Sequence, residues 1–455
     1  MSGKLSRFVS VVVGIVVVAA LAIAAHASTP PVVGVSYTAK VLPTPYVNPI
    51  YSSPFYSITG MSPSGDTIVG YWNQSYNNKL LVWRRGVLDA TSPIHYSSGR
   101  GVNDAGVIAG YSYYPSQAST WDGTVQKVMG VLSGNISGSY AYDLNSRMFI
   151  VGESVIYHTP DGTPPNTVAT IWRKDGQPFN IHSNIGEHTS SAKQINAVGQ
   201  VLGTGGYWTL WTNWVTFDAV WTPSGPDSTN GSWVRLPGHA PDERCHGEAL
   251  NDRGHVVGRT SLGPAFWDEA GVHDLPAHLV LGPGWPFAIN NDDLIVGARF
   301  YSPTDTGMLW ANGEAYNLND LIPKSAVLIC AGKGISEDGR IAANGFLDAT
   351  ISNSFRPFVL TPIRITGLAS LPPVVKAGTT PSVLVSVDTV APAEGIVITL
   401  SSSSAGVIVP YTVTIPAGTK SAWAKLNVKT ISVAEPVTIT AATVAVKKTM
   451  VLASQ

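Results

Sequence analysis

One short phrase recurs along this chain, and it constrains the fold more than any other feature. Two copies read Val-Asn-Asp-Ala-Gly-Val-Ile-Ala-Gly (102–110) and Leu-Asn-Asp-Arg-Gly-His-Val-Val-Gly (250–258). Seven copies are present, and they close at Gly70, Gly110, Gly152, Gly203, Gly258, Gly297 and Ala343. Successive closing positions are 39 to 55 residues apart. This spacing is typical of the blades of a β-propeller and predicts seven of them.

Each copy predicts two strands joined by a tight turn, because Asn, Asp and Gly favour turns and alternating apolar residues follow them. We expect the closing Gly to let the second strand approach its neighbour. A third strand with a terminal Trp follows in six copies, at Trp83, Trp121, Trp172, Trp221, Trp267 and Trp310. One Trp per repeat in one register predicts the core between blades rather than a stacking surface for sugars or bases.

The two ends of the repeat region predict how the propeller closes. The seventh copy has Phe358-Val359 in place of the Trp pair and stops without an outer strand. Before the first copy lies a strand-like segment, residues 35–43, that has no repeat of its own. Because propellers protect their open edges by pairing the two chain ends, we predict that this segment completes the seventh blade.

The best-formed repeat also indicates a family. The phrase Ala-Leu-Asn-Asp-Arg-Gly-His-Val-Val-Gly at 249–258, with Ala265-Phe266-Trp267 and Asp274-Leu275, resembles the HAF extracellular repeat family. The resemblance spans residues 34–362, although the third copy lacks the turn Gly and the seventh lacks the Trp. It implies an exported bacterial repeat protein and implies no particular activity.

Residues 364–455 have a different composition, with few aromatic residues and alternating Val, Thr, Ser and Ala. Strands are predicted at 365–368 or 374–375, and at 382–387, 395–401, 412–415, 421–428, 437–441 and 447–452. Seven short strands in about 90 residues predict an Ig-like β-sandwich. The phrase at 414–422 resembles a turn of bacterial surface Ig-like modules, which favours a spacer over a ligand-binding unit. The predicted fold class is therefore all-β, a seven-bladed propeller followed by an Ig-like sandwich.

The N-terminus predicts export. Lys4 and Arg7 precede an apolar run at 8–25, and small residues stand at Ala25 and Ala27. This pattern is typical of a signal peptide, which we assign to residues 1–27. We therefore expect a secreted or cell-surface protein, attached to the membrane only if the apolar segment stays uncleaved.

The charge of the chain excludes one class of partner. Charged residues make up 13% of the sequence, the net charge is −1, and basic residues are scattered singly. Binding to nucleic acid requires a clustered basic surface, so we predict no nucleic-acid partner.

One loop concentrates chemically active side chains. Between the predicted outer strand of blade four and inner strand of blade five, it contains His239, Asp242, Glu243, Arg244 and His246. We expect this loop at a mouth of the propeller channel and take these five residues as candidate ligand-binding residues. Imidazole and carboxylate also suit zinc, but their spacing does not require a metal, and a solvated polar loop is the alternative. We predict no cofactor, no metal and no catalytic residue.

Two further residue sets have structural explanations. Cys245 and Cys330 occupy one repeat position two blades apart, which is too far for a disulfide, so we predict two separate buried thiols. The recurring turn aspartates are expected to hydrogen-bond their own turns rather than to form a calcium array. These aspartates are Asp104, Asp252, Asp292 and Asp338.

These features favour a non-catalytic scaffold or binding protein, expected to be a monomer. Its expected partner is an extracellular polysaccharide, another surface component or a protein. The alternative is an extracellular propeller hydrolase or lyase acting on polysaccharide, with Asp242, Glu243 and His246 as its first candidates. Convergence of carboxylates or histidines from several blades at one mouth would favour the enzyme.

Overall fold

The computed structural model describes residues 33–45, 55–74, 77–89, 101–113, 116–134, 136–156, 166–182, 189–209, 213–226, 228–241, 243–300, 305–325, 327–348, 354–429 and 436–454. Within these ranges the regular structure consists of β-strands and one 3-10 helix, Leu318–Asp320. The predicted all-β class is therefore confirmed. The predicted signal segment at 1–27 lies outside the described residues.

The described residues between 55 and 362 form seven antiparallel sheets, one for each recurring phrase, and five of these phrases contain the recurring Asn. Before them comes β1 (Tyr37–Val41). Sheet 1 contains β2 (Phe55–Met61), β3 (Thr67–Gln74), β4 (Asn77–Arg84) and β5 (Val87–Asp89). Sheet 2 contains β6 (Ile108–Tyr113), β7 (Ser116–Trp121) and β8 (Gln126–Val128), with a further bridge from Val102 to Ile108. Sheet 3 contains β9 (Ile136–Leu144), β10 (Ile150–Ile156), β11 (Asn166–Trp172) and β12 (Pro178–Asn180).

The remaining four sheets repeat this order. Sheet 4 contains β13 (Thr189–Ile195), β14 (Val201–Thr209), β15 (Asn213–Pro223) and β16 (Gly231–Arg235). Sheet 5 contains β17 (His246–Leu250), β18 (Val256–Thr260), β19 (Gly263–Asp268) and β20 (Gly271–Asp274). Sheet 6 contains β21 (Trp285–Ile289), β22 (Ile295–Arg299), β23 (Thr306–Ala311) and β24 (Glu314–Asn317). Sheet 7 contains β25 (Leu328–Ile335), β26 (Ile341–Phe346) and β27 (Phe355–Pro362).

The N-terminal strand β1 completes sheet 7. It pairs antiparallel with β27, with Tyr37 opposite Pro362 and Val41 opposite Phe358. The sheet order is β1-β27-β26-β25, so residues from the two ends of the repeat region form one sheet. The predicted pairing of the N-terminal segment with the last repeat is confirmed.

The seven sheets contact one another in a cycle. Sheets 2 to 6 each contact the next sheet along the chain, and β2 of sheet 1 packs against all three repeat strands of sheet 7. Sheets 1 and 2 share a buried cluster that contains Val69, Val82 and Ile108. In six sheets the first strand lies innermost, and in sheet 2 residues 101–104, before β6, take this place. These segments surround a common space.

The recurring Trp residues fill the gaps between these sheets. All six are at least 97% buried, and each lies in a cluster that includes residues of the preceding sheet. Trp172 of sheet 3, for example, packs with Ala109 and Ala118 of sheet 2. Its indole Nε1 donates to the carbonyl of Gly130 at 2.7 Å, in the segment that follows the outer strand of sheet 2. Their prediction as core between the repeats is confirmed.

The closing Gly residues mark a distortion of the inner strands. In sheets 3, 5 and 6 the register of the inner strand shifts opposite this Gly. A Cβ atom at Gly258 would collide with the carbonyl oxygen of His246, and one at Gly297 with that of Trp285. The closing position is Gly because the bulged inner strand approaches closer than any side chain permits.

Residues 365–454 form two larger sheets and one short pair. The first sheet contains β28 (Ile365–Leu371), β30 (Ser382–Val387) and β34 (Ser421–Lys425). The second contains β29 (Val374–Val375), β31 (Ile396–Ser402), β33 (Thr412–Ile415), β36 (Val437–Ala442) and β37 (Lys447–Ser454). A short pair joins β32 (Val407–Ile408) to β35 (Asn427–Val428). Both larger sheets contribute to one buried aliphatic cluster, so they pack face to face.

The C-terminal sheets are docked on sheets 6 and 7. Val444 lies in the same buried cluster as Tyr316 and Leu318, and its carbonyl accepts a hydrogen bond from Asn312 Nδ2 at 3.2 Å. Conversely, Val35, which precedes β1, packs into the core of the C-terminal sheets. Each part of the chain therefore contributes a residue to the hydrophobic core of the other.

Candidate functional site

The loop singled out from the sequence lies over sheet 5. His239 Nε2 contacts Asp274 Oδ1 of β20 at 2.9 Å, and its backbone N–H donates to Glu243 Oε2 at 2.7 Å. Arg244 is exposed, and His246 is the first residue of β17. Asp242 lies outside the described residues. The four described candidates are thus spread along the loop and do not lie on the wall of the central cavity.

Glu243 is held as an ionised hydrogen-bond acceptor. Its Oε1 accepts from the backbone N–H of Ser261 at 2.8 Å and from the Ser261 hydroxyl. The Ser261 hydroxyl, with the backbone donors, lowers the pKa of Glu243 to about 2. A carboxyl with this pKa holds no proton to donate near neutral pH and is a weak base, so Glu243 is poorly suited to acid–base catalysis.

The inner strands enclose a central cavity of about 990 Å³. All seven repeats contribute to its wall. Its charged lining residues are Asp104, Asp143, Lys193, Glu248, Asp252, Lys333 and Glu337. We call the end of the cavity at the Asn-containing phrases the turn end, and the opposite end the loop end.

At the turn end, the recurring Asn side chains connect each sheet to the next. Their Nδ2 atoms donate to backbone carbonyls at 2.9–3.2 Å, from Asn103 to Asn145, Asn145 to Asn196, Asn196 to Asn251, Asn251 to Asn290 and Asn290 to Ser336. Each Oδ1 also accepts the backbone N–H four residues later, which closes its own turn. One side chain therefore shapes its own turn and binds the neighbouring one.

Two more contacts close this series of hydrogen bonds. Asp104 of sheet 2 accepts from the backbone N–H of Ser64 in sheet 1 at 2.7 Å. Glu337 of sheet 7 donates its backbone N–H to the carbonyl of Pro63 in sheet 1 at 2.8 Å. The hydrogen bonds thus run from sheet 1 through sheet 7 and back, and we call this set the turn belt.

The predicted role of the turn aspartates is wrong for two of them. Asp104 and Asp252 accept backbone N–H groups of the preceding sheet, from Ser64 and Ala197 respectively, each at 2.7 Å. Asp338 does bond within its own turn, where it accepts from the Ser336 hydroxyl at 2.6 Å, and it also accepts from Arg364 at 2.8 Å. The difference arises because the carboxylate at this position points along the belt, where the neighbouring turn offers an unpaired donor.

Asp143 lines the cavity, and its carboxyl group has a raised pKa. It accepts the backbone N–H of Leu144 at 2.8 Å and that of Ile195, in the next sheet, at 3.0 Å. Burial raises its pKa to about 7, although both hydrogen bonds act in the opposite direction. In the next repeat Gln194 makes the corresponding contact to the following sheet, since its Oε1 accepts the backbone N–H of Leu250 at 2.7 Å.

At the loop end, sheet 6 presents three aromatic rings that the sequence analysis did not single out. The ring centroids of Trp285 and Phe300 are 5.5 Å apart, and those of Phe287 and Phe300 are 5.9 Å apart. Trp285 and Phe300 are 47% and 45% exposed. We call these three residues the aromatic platform. Trp285 does not occupy the repeat position of the six recurring Trp residues. This difference was the sequence signal that could have marked it as a surface residue.

Two cations flank the aromatic platform. The guanidinium carbon of Arg259, from sheet 5, lies 4.4 Å from the ring centroid of Trp285. Nζ of Lys333, from sheet 7, lies 3.8 Å from the ring centroid of Phe287. Burial lowers the pKa of Lys333, while Glu248 and Asp305 act against that change. The aromatic platform and its two flanking cations therefore come from three sheets and combine apolar rings with positive charge.

The cysteines are separate thiols, as predicted. Cys245 and Cys330 are both buried and unpaired. Burial raises the pKa of Cys245 to about 11 and that of Cys330 to about 12, so neither is a reactive thiolate. Among the residues that the structure describes, no three His, Cys, Asp or Glu side chains are grouped so that they could hold a metal ion.

Compared with known proteins, the chain matches no family model and no curated protein. The similarity to HAF repeats therefore rests on the motifs quoted above. The described part of the chain has no helix with the length and hydropathy of a membrane span.

Proposed function

We propose that the chain is an exported, non-catalytic binding protein of HAF type, a seven-bladed propeller that carries an Ig-like sandwich. In this proposal the seven sheets are the blades, β1 is the strand that closes the ring, and the C-terminal sheets are a spacer. The cycle of sheet contacts and the turn belt support the propeller.

The position of the C-terminal sheets supports the choice of binding surface. They contact Asn312 in the turn between β23 and β24, and Arg364 pairs with Asp338 at 2.8 Å beside the turn of sheet 7. Both contacts lie at the turn end. The loop end points away from them, and we propose that it is the binding face.

One observation carries the preference for binding over catalysis. The acidic side chains at the turn end already accept backbone hydrogen bonds from neighbouring sheets, as Asp104, Asp252 and Glu337 do. If these carboxylates acted on a substrate, they would lose the hydrogen bonds that connect neighbouring sheets in the turn belt. The loop end instead presents exposed rings beside cations, which suits recognition of a polymer.

The N-terminal pattern supports export, and the proposed partner is an extracellular polysaccharide, another surface component or a protein. The test uses the full chain recovered after export from expressing cells, applied to an array of polysaccharides. Retention on at least one polymer, without release of reducing or unsaturated ends from it, is the expected result. Failure to bind any polymer would overturn polysaccharide recognition, and release of new ends would support the hydrolase or lyase instead.

A further inference from the structure

We propose that the aromatic platform is a binding site for the pyranose rings of an acidic polysaccharide, and that Arg259 receives the carboxylate of the bound sugar. This proposal rests on the binding function proposed above and names its ligand class.

The rings provide the stacking surface. One face of a pyranose ring carries mainly C–H groups, and covering it with an exposed indole removes apolar surface of both partners from water. Trp285 offers such a surface at the loop end, because it is opposite Ala298 while Ile289, at the other end of β21, is opposite Ile295 beside the turn. Phe300 stands nearly perpendicular to the indole, with an interplanar angle of 88°, and forms a wall beside it.

Arg259 provides the charge that selects an acidic sugar. Among the described residues the guanidinium of Arg259 makes no ion pair, and it lies over the ring of Trp285. A planar guanidinium binds a carboxylate through two parallel hydrogen bonds. Lys333 is less suited to this role, because it already interacts electrostatically with the carboxylates of Glu248 and Asp305. The ligand's carboxylate is therefore expected at Arg259.

Glu248 and Lys333 extend the polar part of the site into the cavity. Both line its wall, as Phe287 does, and Nζ of Lys333 lies 3.8 Å from the centroid of the Phe287 ring. Side chains that accept or donate hydrogen bonds beside an aromatic ring suit the hydroxyl groups of successive sugars. The direction from Trp285 to Phe287 and Lys333 leads from the rim into the cavity, so a chain of sugars is expected to follow it.

An apolar loop at the same end raises the competing possibility of a protein or lipid partner. Leu279 and Val280 precede β21 and are 101% and 85% exposed. His278 Nδ1 holds this loop by accepting the backbone N–H groups of Val280 and Leu281, at 3.2 and 3.1 Å. Aliphatic tips have no hydrogen bonds to offer a sugar. Their substitution therefore separates the two kinds of partner.

The test measures binding of the full chain to polygalacturonate and to its neutral methyl ester by affinity electrophoresis. Trp285→Ala is expected to weaken binding to both polymers at least tenfold, because the stacking surface is lost. Arg259→Gln is expected to weaken binding to the charged polymer about fivefold to tenfold and to leave the ester unaffected. Trp423→Ala is the matched control, since this tryptophan is 54% exposed in the C-terminal sheets.

Each outcome supports or overturns the proposal. If the wild type binds and both the Trp285 and the Arg259 variants bind equally well, the aromatic platform is not the binding site, while the proposed binding function stands. No binding of either polymer by the wild type overturns the acidic ligand class, and the wider polysaccharide array decides the proposed function. Attachment of the full chain to the surface of the expressing cells is measured for the same variants. If only the double variant Leu279→Ser, Val280→Ser loses this attachment, the face is assigned to a protein or lipid partner instead.

Discussion

At the level of single residues, the recurring Trp does two jobs, and only one of them was predictable. The sequence register indicates that the ring is buried between repeats. It does not indicate that the indole N–H also binds the preceding sheet, as Trp83, Trp172, Trp267 and Trp310 do at 2.7–2.9 Å. Among the described residues Trp121 is an exception, since its buried indole N–H has no acceptor. This pair of sites isolates the hydrogen bond from the packing.

We predict that Trp172→Phe destabilises the protein more than Trp121→Phe. Both changes remove the same atoms from a buried position, but only the first leaves a carbonyl, that of Gly130, without its donor. Loss of such a partly buried hydrogen bond costs about 0.5–1.5 kcal/mol. Urea unfolding of the two variants measures the difference. Equal losses of unfolding free energy would contradict this role of the indole N–H.

Asp143 predicts a pH dependence of stability. Its pKa is about 7 in the folded chain against 3.8 ordinarily, so the unfolded chain loses this proton first as pH rises. Between about pH 4 and 7 the folded state alone retains it, so this residue makes stability fall as pH rises through that window and stay level above it. Asp143→Asn should remove this component when unfolding is measured from pH 4 to 8. A slope unchanged by the substitution would contradict the assignment.

The turn aspartates show why residue roles were harder to predict than residue positions. Asp104 and Asp252 sit in sequences that favour turns, and their local pattern correctly marks the turns. Their partners, Ser64 and Ala197, are 40 and 55 residues away. Because the sequence of one repeat carries no signal for its neighbour's unpaired N–H, the contact between sheets could not be inferred.

At the level of strands and turns, the turn belt explains why Asn recurs at one position. Asn251 donates to the carbonyl of Asn290 at 3.0 Å and accepts the backbone N–H of His255 at 3.0 Å. Only a side chain with both a donor and an acceptor at this length does both. Ser62 and Ser336 close their own turns by accepting N–H groups, but a hydroxyl does not reach the next turn as the Asn amide does.

We predict that Asn145→Asp and Asn145→Ala separate these two functions. Asn145 is chosen because the amide of Asn251 also donates to Asp293 Oδ1, beside which a new carboxylate would be repelled. The Asp variant keeps the acceptor for the N–H of Phe149 and loses the donor to the carbonyl of Asn196, while the Ala variant loses both. Losses of about 1–3 kcal/mol for the first and more for the second are expected. Chemical unfolding gives both values. A stability of the Asp variant equal to wild type would show that the link between sheets contributes nothing.

The C-terminal strands were predicted closely, because short strands of alternating Val, Thr and Ser are separated by Pro and Gly. The predicted strand at 421–428 is divided in the structure into β34 and β35, and β32 was not predicted. Two-residue strands lack the periodicity on which such predictions depend. The aromatic platform was missed for a related reason, since two of its rings come from β21 and the third from Phe300, the residue after β22, and their proximity depends on strand pairing.

For the whole molecule, the docking of the C-terminal sheets could not be predicted from composition, which only separates the two parts. The structure joins them through Val444, which packs with Tyr316 and Leu318. We predict that Val444→Asp lowers the unfolding free energy of the full chain by at least about 2 kcal/mol, because it buries an unpaired charge. Val451→Asp is the control, since Val451 is 66% exposed on β37 of the same module. Equal melting temperatures of the two variants would contradict the docking.

Closure by β1 joins the two ends of the repeat region, and the proposed seven-bladed ring depends on it. Lys40 lies opposite Val359 in the β1–β27 pair, so cysteines at these two positions are expected to form a disulfide on mild oxidation. Lys40→Cys combined with Val234→Cys, at an exposed site in β16 of sheet 4, is the control and should stay reduced. Peptide mass spectrometry reads out both. A cross-link between residues 40 and 359 alone is predicted, and its absence, or equal cross-linking of the control, would contradict closure of the ring by the N-terminal strand.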